Sequence, residues 1–376
     1  MGKTLCPFCF NKFDNSELIY YCLECNTGIK VKELRFGELN RGVKCRTKTC
    51  HERTLYTKKC PMCNETLPDS LLDITNMPFS LIGSSGSGKT NYITVLLTEL
   101  SKRSGNLKLS LKSNTPETRQ SHAINRKMIY DEKLMVPATL ASNVRANIWT
   151  IRNLKKKMTY VLNIFDGAGE THNILDEENA QRDARYIENS QAVIFVIDPL
   201  RFRGLRDLAN NIDPSKSTSS SVEETDDENS VDVIHNAAKM MRNALRIRDD
   251  KIIDLYMAIV ISKIDLFLNA CFKGTTLGKD SPHADLGYFD TDDCKAVDKE
   301  LTDWLLDNGE EEFINALEHN FYFKNENFHR KKCYLFGVSA FGDAPDEFGN
   351  VPQIHPHRVL DPILWLLSQQ DFIDAQ

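Results

Sequence analysis

The sequence predicts a three-layer α/β sandwich around a mostly parallel sheet, preceded by a small cysteine-rich head. Three observations carry that expectation. Short, unbroken apolar runs recur along the 376 residues, with helical stretches between them. A glycine-rich loop, Gly83-Ser84-Ser85-Gly86-Ser87-Gly88-Lys89-Thr90, follows the first such run and opens a helix. Eight of the eleven cysteines lie between residues 6 and 63, in four close pairs.

The head comes first and spans residues 1–66. Its pairs are Cys6-x-x-Cys9, Cys22-x-x-Cys25, Cys45-x4-Cys50 and Cys60-x-x-Cys63. Met1-Gly2-Lys3-Thr4-Leu5-Cys6 has no signal-peptide core, which sets the expectation of a cytoplasmic chain. In that setting clustered CxxC pairs read as metal ligands rather than disulfides. Eight thiolates make two tetrahedral zinc sites, a zinc-ribbon domain. Four thiolates leave no open coordination position, so both sites read as structural. The pairing stays open at this stage. It is either sequential or nested, with Cys6-Pro-Phe-Cys9 joined to Cys60-Pro-Met-Cys63, and His51 could replace Cys50.

Charge narrows what the head binds. Residues 1–66 hold twelve Lys+Arg against seven Asp+Glu. Each Zn(Cys)₄ centre brings about -2, which removes most of that excess. Protein docking is therefore favoured over nucleic acid, although Lys44, Arg46, Lys48 and Arg53 form a local basic set. The whole chain carries a net charge of -6, against a general nucleic-acid coat protein. No apolar run approaches the ~20 residues that cross a bilayer.

A linker over 67–77 leads to the second domain, 78–372. Expected strands are Phe79 to Ile82, 146–152, 159–165, Ala192 to Ile197, Tyr256 to Ile261 and Tyr334 to Val338. Expected helices include Thr90 to Leu100 and Arg358 to Leu367. Insertions are placed near 203–232 and 267–295. The stretch 213–232 is polar and acidic and reads as a mobile loop, and 267–295 is Gly-, Asp- and Thr-rich and reads as extended.

The glycine-rich loop is a phosphate cradle. Several backbone N–H groups must point into one concavity, and Gly83, Gly86 and Gly88 supply the dihedral freedom this needs. Ser84, Ser85 and Ser87 complete the loop, and the helix adds its N-terminal partial charge. Lys89 would place a cation against the β and γ phosphates, and Thr90 a hydroxyl on Mg²⁺.

Later motifs address the base. In Asp166-Gly167-Ala168-Gly169 a carboxylate can approach Mg²⁺ and the Gly169 N–H can meet the γ-phosphate. In Ser262-Lys263-Ile264-Asp265 the Asp265 carboxylate can accept from guanine N1–H and its 2-amino group; adenine lacks both donors. The Lys263 stem would cover the base. Ser339 and Ala340 of Gly337-Val338-Ser339-Ala340 could give an N–H to the guanine oxygen. A competing ATPase reading makes Asp198, ending Val193-Ile194-Phe195-Val196-Ile197-Asp198, the Mg²⁺ ligand.

The order GSSGSGKT, DGAG, SKID, VSA resembles the Ras-like, TRAFAC-class P-loop GTPases over residues 78–370. With the cysteine head and the helix from Arg358 to Leu367, the chain looks most like the double-GTPase-type domains of bacterial conflict and defence gene clusters. The resemblance implies a mixed six-stranded sheet, bound GTP or GDP with Mg²⁺, and a Mg²⁺-binding threonine before the second strand. Thr139 of Pro137-Ala138-Thr139-Leu140 is its candidate, with Ser142 and Thr150 nearby. Two departures stand out. Ser262 replaces the family's Asn or Thr, and Glu170 stands where many relatives place a water-orienting Gln, followed by Thr171-His172. Glutamate cannot donate to the γ-phosphate, so slow hydrolysis is expected unless Glu170, His172 or a partner positions the water.

Function therefore reads as a GTP-hydrolysing molecular switch with a protein partner or effector, suggested by the resemblance to lie in antiviral defence, with a nucleotide-dependent oligomer as one form it could take. The alternatives are a nucleotide-dependent scaffold with little turnover and a P-loop ATPase acting with nucleic acid.

Overall fold

A computed structural model describes residues 3–51, 54–67, 75–83, 86–137, 146–166, 187–212, 229–324, 330–346, 348–351 and 353–376, with backbone alone at 75–78, 146–147, 161 and 163–166. The main sheet has seven strands: β1 (Thr75–Gly83), β2 (Leu109–Ser113), β3 (Ala146–Asn153), β4 (Met158–Asp166), β5 (Ala192–Ile197), β6 (Tyr256–Ile261) and β7 (Cys333–Gly337). Their order is β7-β6-β5-β1-β4-β3-β2. The five strands from β7 to β4 run parallel, β3 is antiparallel to β4, and β2 is antiparallel to β3.

The expected six strands are all present. The seventh, β2, extends the edge beyond the sheet that the resemblance implied. Its residues, Leu-Ser-Leu-Lys-Ser, alternate between buried and open positions, as an edge strand with one wet face should.

The apolar runs in β5 and β6 are unbroken because helices cover both faces of the sheet. In β5, Ile194 and Val196 face one core; Val193, Phe195 and Ile197 face the other. Ala258 and Val260 against Met257, Ile259 and Ile261 repeat the pattern in β6. The first core is closed by α1 (Lys89–Arg103) and by the terminal helix Asp361–Gln369, whose Trp365 packs edge-on or tilted against Tyr256, Tyr334 and Phe336. The second is closed by α2 to α5: Arg203–Ile212, Ser230–Leu245, Thr291–Asp307 and Glu311–Asn320.

Two expectations about insertions need correction. Residues 203–212 are helix α2, and the end of the acidic stretch is ordered. Asn229 caps α3, its side chain accepting from the Val231 and Asp232 N–H groups, so 229–232 belong to a helix start. Residues 213–228 lie outside the described residues.

The 267–295 stretch is packed rather than extended. Leu277, Ala284 and Phe289 are buried. The Glu300 carboxylate accepts from the N–H groups of Thr276 and Leu277 at 2.8 Å each. Arg358, buried, donates to the carbonyls of Thr276 and Lys279 and to the carboxylates of Asp293 and Asp361. One guanidinium thus ties the insertion to the starts of α4 and the terminal helix, and satisfies charges that burial would otherwise penalise.

The head holds a two-stranded ribbon, Lys3–Leu5 with Lys12–Asp14, and a four-stranded sheet ordered Gly28–Lys30, Ile19–Tyr21, Thr57–Lys59, Thr66–Leu67. It rests on the main sheet through Ile148 of β3, which is fully buried in one cluster with Cys6, Phe13, Leu18, Cys60 and Leu67. Because β1 starts at Thr75, the main sheet reaches back into the segment expected as linker.

Candidate functional site

The phosphate loop lies where sequence order placed it, between β1 and α1. Gly83 is required by close approach: a Cβ there would sit 2.0 Å from the Val196 carbonyl of β5. Gly86 and Gly88 take left-handed φ of 73° and 79°, conformations that favour glycine. Lys89 opens α1 and donates from Nζ to the Gly83 carbonyl at 3.0 Å, so its ammonium folds back over the loop. Thr90 follows in the same turn, its carbonyl bonded by Thr94 Oγ1 at 2.8 Å. Ser87 is fully buried, and Ser84 and Ser85 lie outside the described residues.

A single cavity joins this loop to the later motifs. Gly86, Ser87 and Gly88 line it together with Ser262, Lys263 and Asp265 and with Val338, Ser339 and Ala340. The two base-side loops are stitched together. Ile264 N–H donates to the Val338 carbonyl at 3.1 Å, and Val338 N–H to the Ile261 carbonyl at 2.9 Å. Ser262 bonds the Ile197 carbonyl twice, through N–H at 3.0 Å and Oγ at 3.1 Å. The hydroxyl thus supplies a brace toward β5 in place of the longer side chain the family prefers.

Lys263 has a left-handed φ of 50°, which turns its side chain across the end of β5 to the fully buried Asp198. Nζ and Oδ2 are 2.6 Å apart, and Asp198 Oδ1 accepts from Leu200 N–H at 2.9 Å. Both oxygens of the candidate ATPase carboxylate are therefore engaged, one of them by the base-motif lysine. Ser339 N–H is given to the His357 carbonyl at 3.0 Å, while Ser339 Oγ accepts from Gly342 N–H. Ala340 remains as the cavity-lining amide of that pair.

Other predicted residues cannot be placed. Thr139, Gly169, Glu170 and His172 lie outside the described residues, and Asp166 is described by its backbone alone, as the last residue of β4.

Sequence reasoning missed Asn91. It lines the cavity directly after Thr90 and exchanges two hydrogen bonds with Val136. A polar residue at a buried helix position was the available signal.

The cysteines resolve the open pairing as nested. Cys6, Cys9, Cys60 and Cys63 form one tetrad, and Cys22, Cys25, Cys45 and Cys50 the other, with all sulfurs of a tetrad within 4.8 Å. Sulfur pairs lie at 3.7 and 3.9 Å in the first tetrad and 3.3 and 3.4 Å in the second. Tetrahedral Zn–S bonds of about 2.3 Å imply edges of roughly 3.8 Å, so both sets fit zinc. Phe8 and Met62 N–H groups point at Cys6 and Cys60 sulfur, each at 3.4 Å, as thiolates would favour. Hydrogen bonds from Thr27 and then Thr47 pull the Cys25 thiol down to about 6. Cys50 rather than His51 completes the tetrad, and the His51 backbone N–H donates to the Glu24 carboxylate.

His283, Asp293 and Asp361 make a third cluster of ligand-type residues. Asp290 N–H donates to His283 Nδ1, so a neutral ring carries its proton on Nε2, facing the two carboxylates at 3.6 and 3.7 Å. Arg358 pairs with both carboxylates, so their charge is already partnered by a guanidinium.

Residues 80–262 match the family model Double-GTPase 1. That match supports a P-loop domain of the double-GTPase type over this segment. The matched span runs from β1 through the phosphate loop to Ser262, the first residue of the base motif. The chain is also 25% identical over 332 residues to a protein of Mycolicibacterium smegmatis named "Putative ESX-1 scaffolding and assembly protein SaeC", covering 82% of this chain and 79% of that one. Among the described residues no helix is long and apolar enough to cross a membrane.

Proposed function

We propose that this double-GTPase-type protein is a GTP-binding molecular switch that hydrolyses GTP slowly with Mg²⁺ and acts through a protein partner. One observation carries the reading. One cavity is lined both by Gly86 to Gly88 of the phosphate loop and by Lys263, Asp265 and Ala340 of the base-side motifs, the two sets of groups a nucleoside triphosphate would engage. In this reading Lys89 and Thr90 serve the phosphates and Mg²⁺ with Asp166 and Thr139. Asp265 accepts from guanine, the Lys263 stem covers it, and Ala340 N–H meets its oxygen. The two cysteine tetrads hold zinc and build a head that docks protein rather than nucleic acid.

The partner reading draws support from the mycobacterial relative, whose name speaks of scaffolding and assembly. A place in antiphage defence rests on the family resemblance alone. A scaffold with little turnover is the second reading, favoured by that name and by Glu170 at the water-orienting position.

Competition against a fluorescent GTP analogue tests the first step: GTP should displace it, and ATP displacing it equally would overturn the guanine assignment. Lys89→Ala should abolish binding. Multiple-turnover phosphate release then separates switch from scaffold, and an unchanged rate in Glu170→Gln removes Glu170 from the mechanism.

A further inference from the structure

We propose that Asn91 is a positioning residue of the nucleotide site, its side-chain amide fastening the Lys133–Val136 backbone as one wall of the cavity. The inference rests on the guanine-nucleotide reading above. Asn91 sits in the first turn of α1, 6% exposed, followed by the apolar face Tyr92, Ile93, Val95 and Leu96. A polar amide is costly there unless both its ends are paired. They are: Oδ1 accepts from Val136 N–H at 2.8 Å, and Nδ2 donates to the Val136 carbonyl at 3.3 Å. The side chain imitates one rung of a β-ladder to backbone 45 residues further on.

The same short segment is held from its other side by the strap that follows the Val338–Ala340 motif. Met135 N–H donates to the Gly349 carbonyl at 2.9 Å, Val351 N–H to the Lys133 carbonyl at 2.7 Å, and Leu134 bridges to Asn350. Gly349 has φ 78°, and a Cβ on it would sit 3.0 Å from Met135 Cγ, so the strap is cut to seat that side chain. Met135 lines the cavity and stays 38% exposed, and Asn91 and Asp346 of the strap line it as well. The Lys133–Val136 backbone is therefore tied both to α1, through Asn91, and to the strap, with Met135 presented to the cavity between them.

A fastening differs from a general fold staple in what it couples. If Asn91 acts by holding Met135 against the ligand, the effects of the two residues cannot be independent. The test measures release of fluorescent GDP from the full chain as wild type, Asn91→Ala, Met135→Ala and the double variant. Asn91→Ala should release GDP about tenfold faster, Met135→Ala should also accelerate release, and the double variant should be no faster than the faster single. Asn91→Asp keeps an acceptor for Val136 N–H but sets a buried carboxylate oxygen against the Val136 carbonyl, so it should release GDP at least as fast as Asn91→Ala; it also serves if the alanine variant does not fold. Unchanged release in both Asn91 variants, or accelerations that multiply in the double variant, would overturn the proposal. Failure of the wild type to hold GDP would instead overturn the nucleotide reading beneath it.

Discussion

Lys263 and Asp198 form a 2.6 Å ion pair that ties the base motif after β6 to the end of β5. Asp198 is fully buried while Lys263 keeps a third of its side chain exposed, so the carboxylate steers the lysine and not the reverse. Removing it leaves the ammonium free to swing off the base. A charge-assisted hydrogen bond contributes about 1.5–3 kcal/mol. Asp198→Ala is therefore expected to weaken binding of a fluorescent GTP analogue by about tenfold, with its Mg²⁺ dependence intact. Titration with and without Mg²⁺ checks this. Loss of the Mg²⁺ dependence would move Asp198 to the metal and revive the ATPase reading.

Asp265 offers a sharper chemical test. Its two oxygens are proposed to accept from guanine N1–H and from the 2-amino group, and inosine lacks the second donor. A site built around a hydrogen bond rejects an analogue that leaves its polar group unpaired. Wild type should prefer GTP over ITP, and Asp265→Ala should lose most of that preference. Competition curves for both nucleotides on both proteins decide the point; a preference retained in the variant would take Asp265 out of base recognition.

The head bears on the main sheet through Ile148, whose side chain is fully buried among Cys6, Cys60, Phe13, Leu18 and Leu67. Ile148→Ala should cost about 2–5 kcal/mol, the range for truncating a buried aliphatic side chain. The two tetrads should then differ. Cys60→Ser disturbs the cluster that Ile148 enters, whereas Cys25 belongs to the tetrad packed with Ile29, Val43 and Leu55, away from the sheet. Hydrogen exchange in β3 should rise in Cys60→Ser and stay at wild-type level in Cys25→Ser. Equal effects of the two substitutions would contradict the docking described for the first tetrad.

Acid should expose a different weakness. His122 meets Trp149 edge-on at 5.1 Å, and burial, helped by nearby Arg126, pushes its imidazole down from 6.5 to about 4. A histidine depressed in the folded state takes up protons more readily when unfolded. Its contribution is present above the unfolded value and is lost as pH falls from about 6.5 toward 4. Denaturant midpoints across that window should therefore fall less steeply for His122→Phe than for wild type.

What could be read from the sequence followed burial. β5 and β6 are covered on both faces, so their residues form unbroken apolar runs. The glycine loop was equally plain, because Gly83, Gly86 and Gly88 answer to backbone geometry that few residues tolerate. β2 escaped notice because two of its five residues face water and nothing local distinguishes the stretch from a loop. The nested pairing of the cysteines could not be read, since the spacing within each pair carries no information on which pairs face each other. Asn91 and Arg358 were hidden for a related reason: Val136 lies 45 residues from Asn91, and Thr276, Lys279 and Asp293 lie 65 or more from Arg358, so only the folded chain brings them together.

Nesting also dictates an order of assembly. The Cys22–Cys50 tetrad closes a loop that lies wholly inside the one closed by Cys6–Cys9 and Cys60–Cys63. Loop closure costs more entropy as the loop lengthens. Metal captured by the inner set shortens the free chain that the outer set must close. The inner site is thus expected to fill first during synthesis or refolding, and the outer one to act as the latch that commits the head to the sheet.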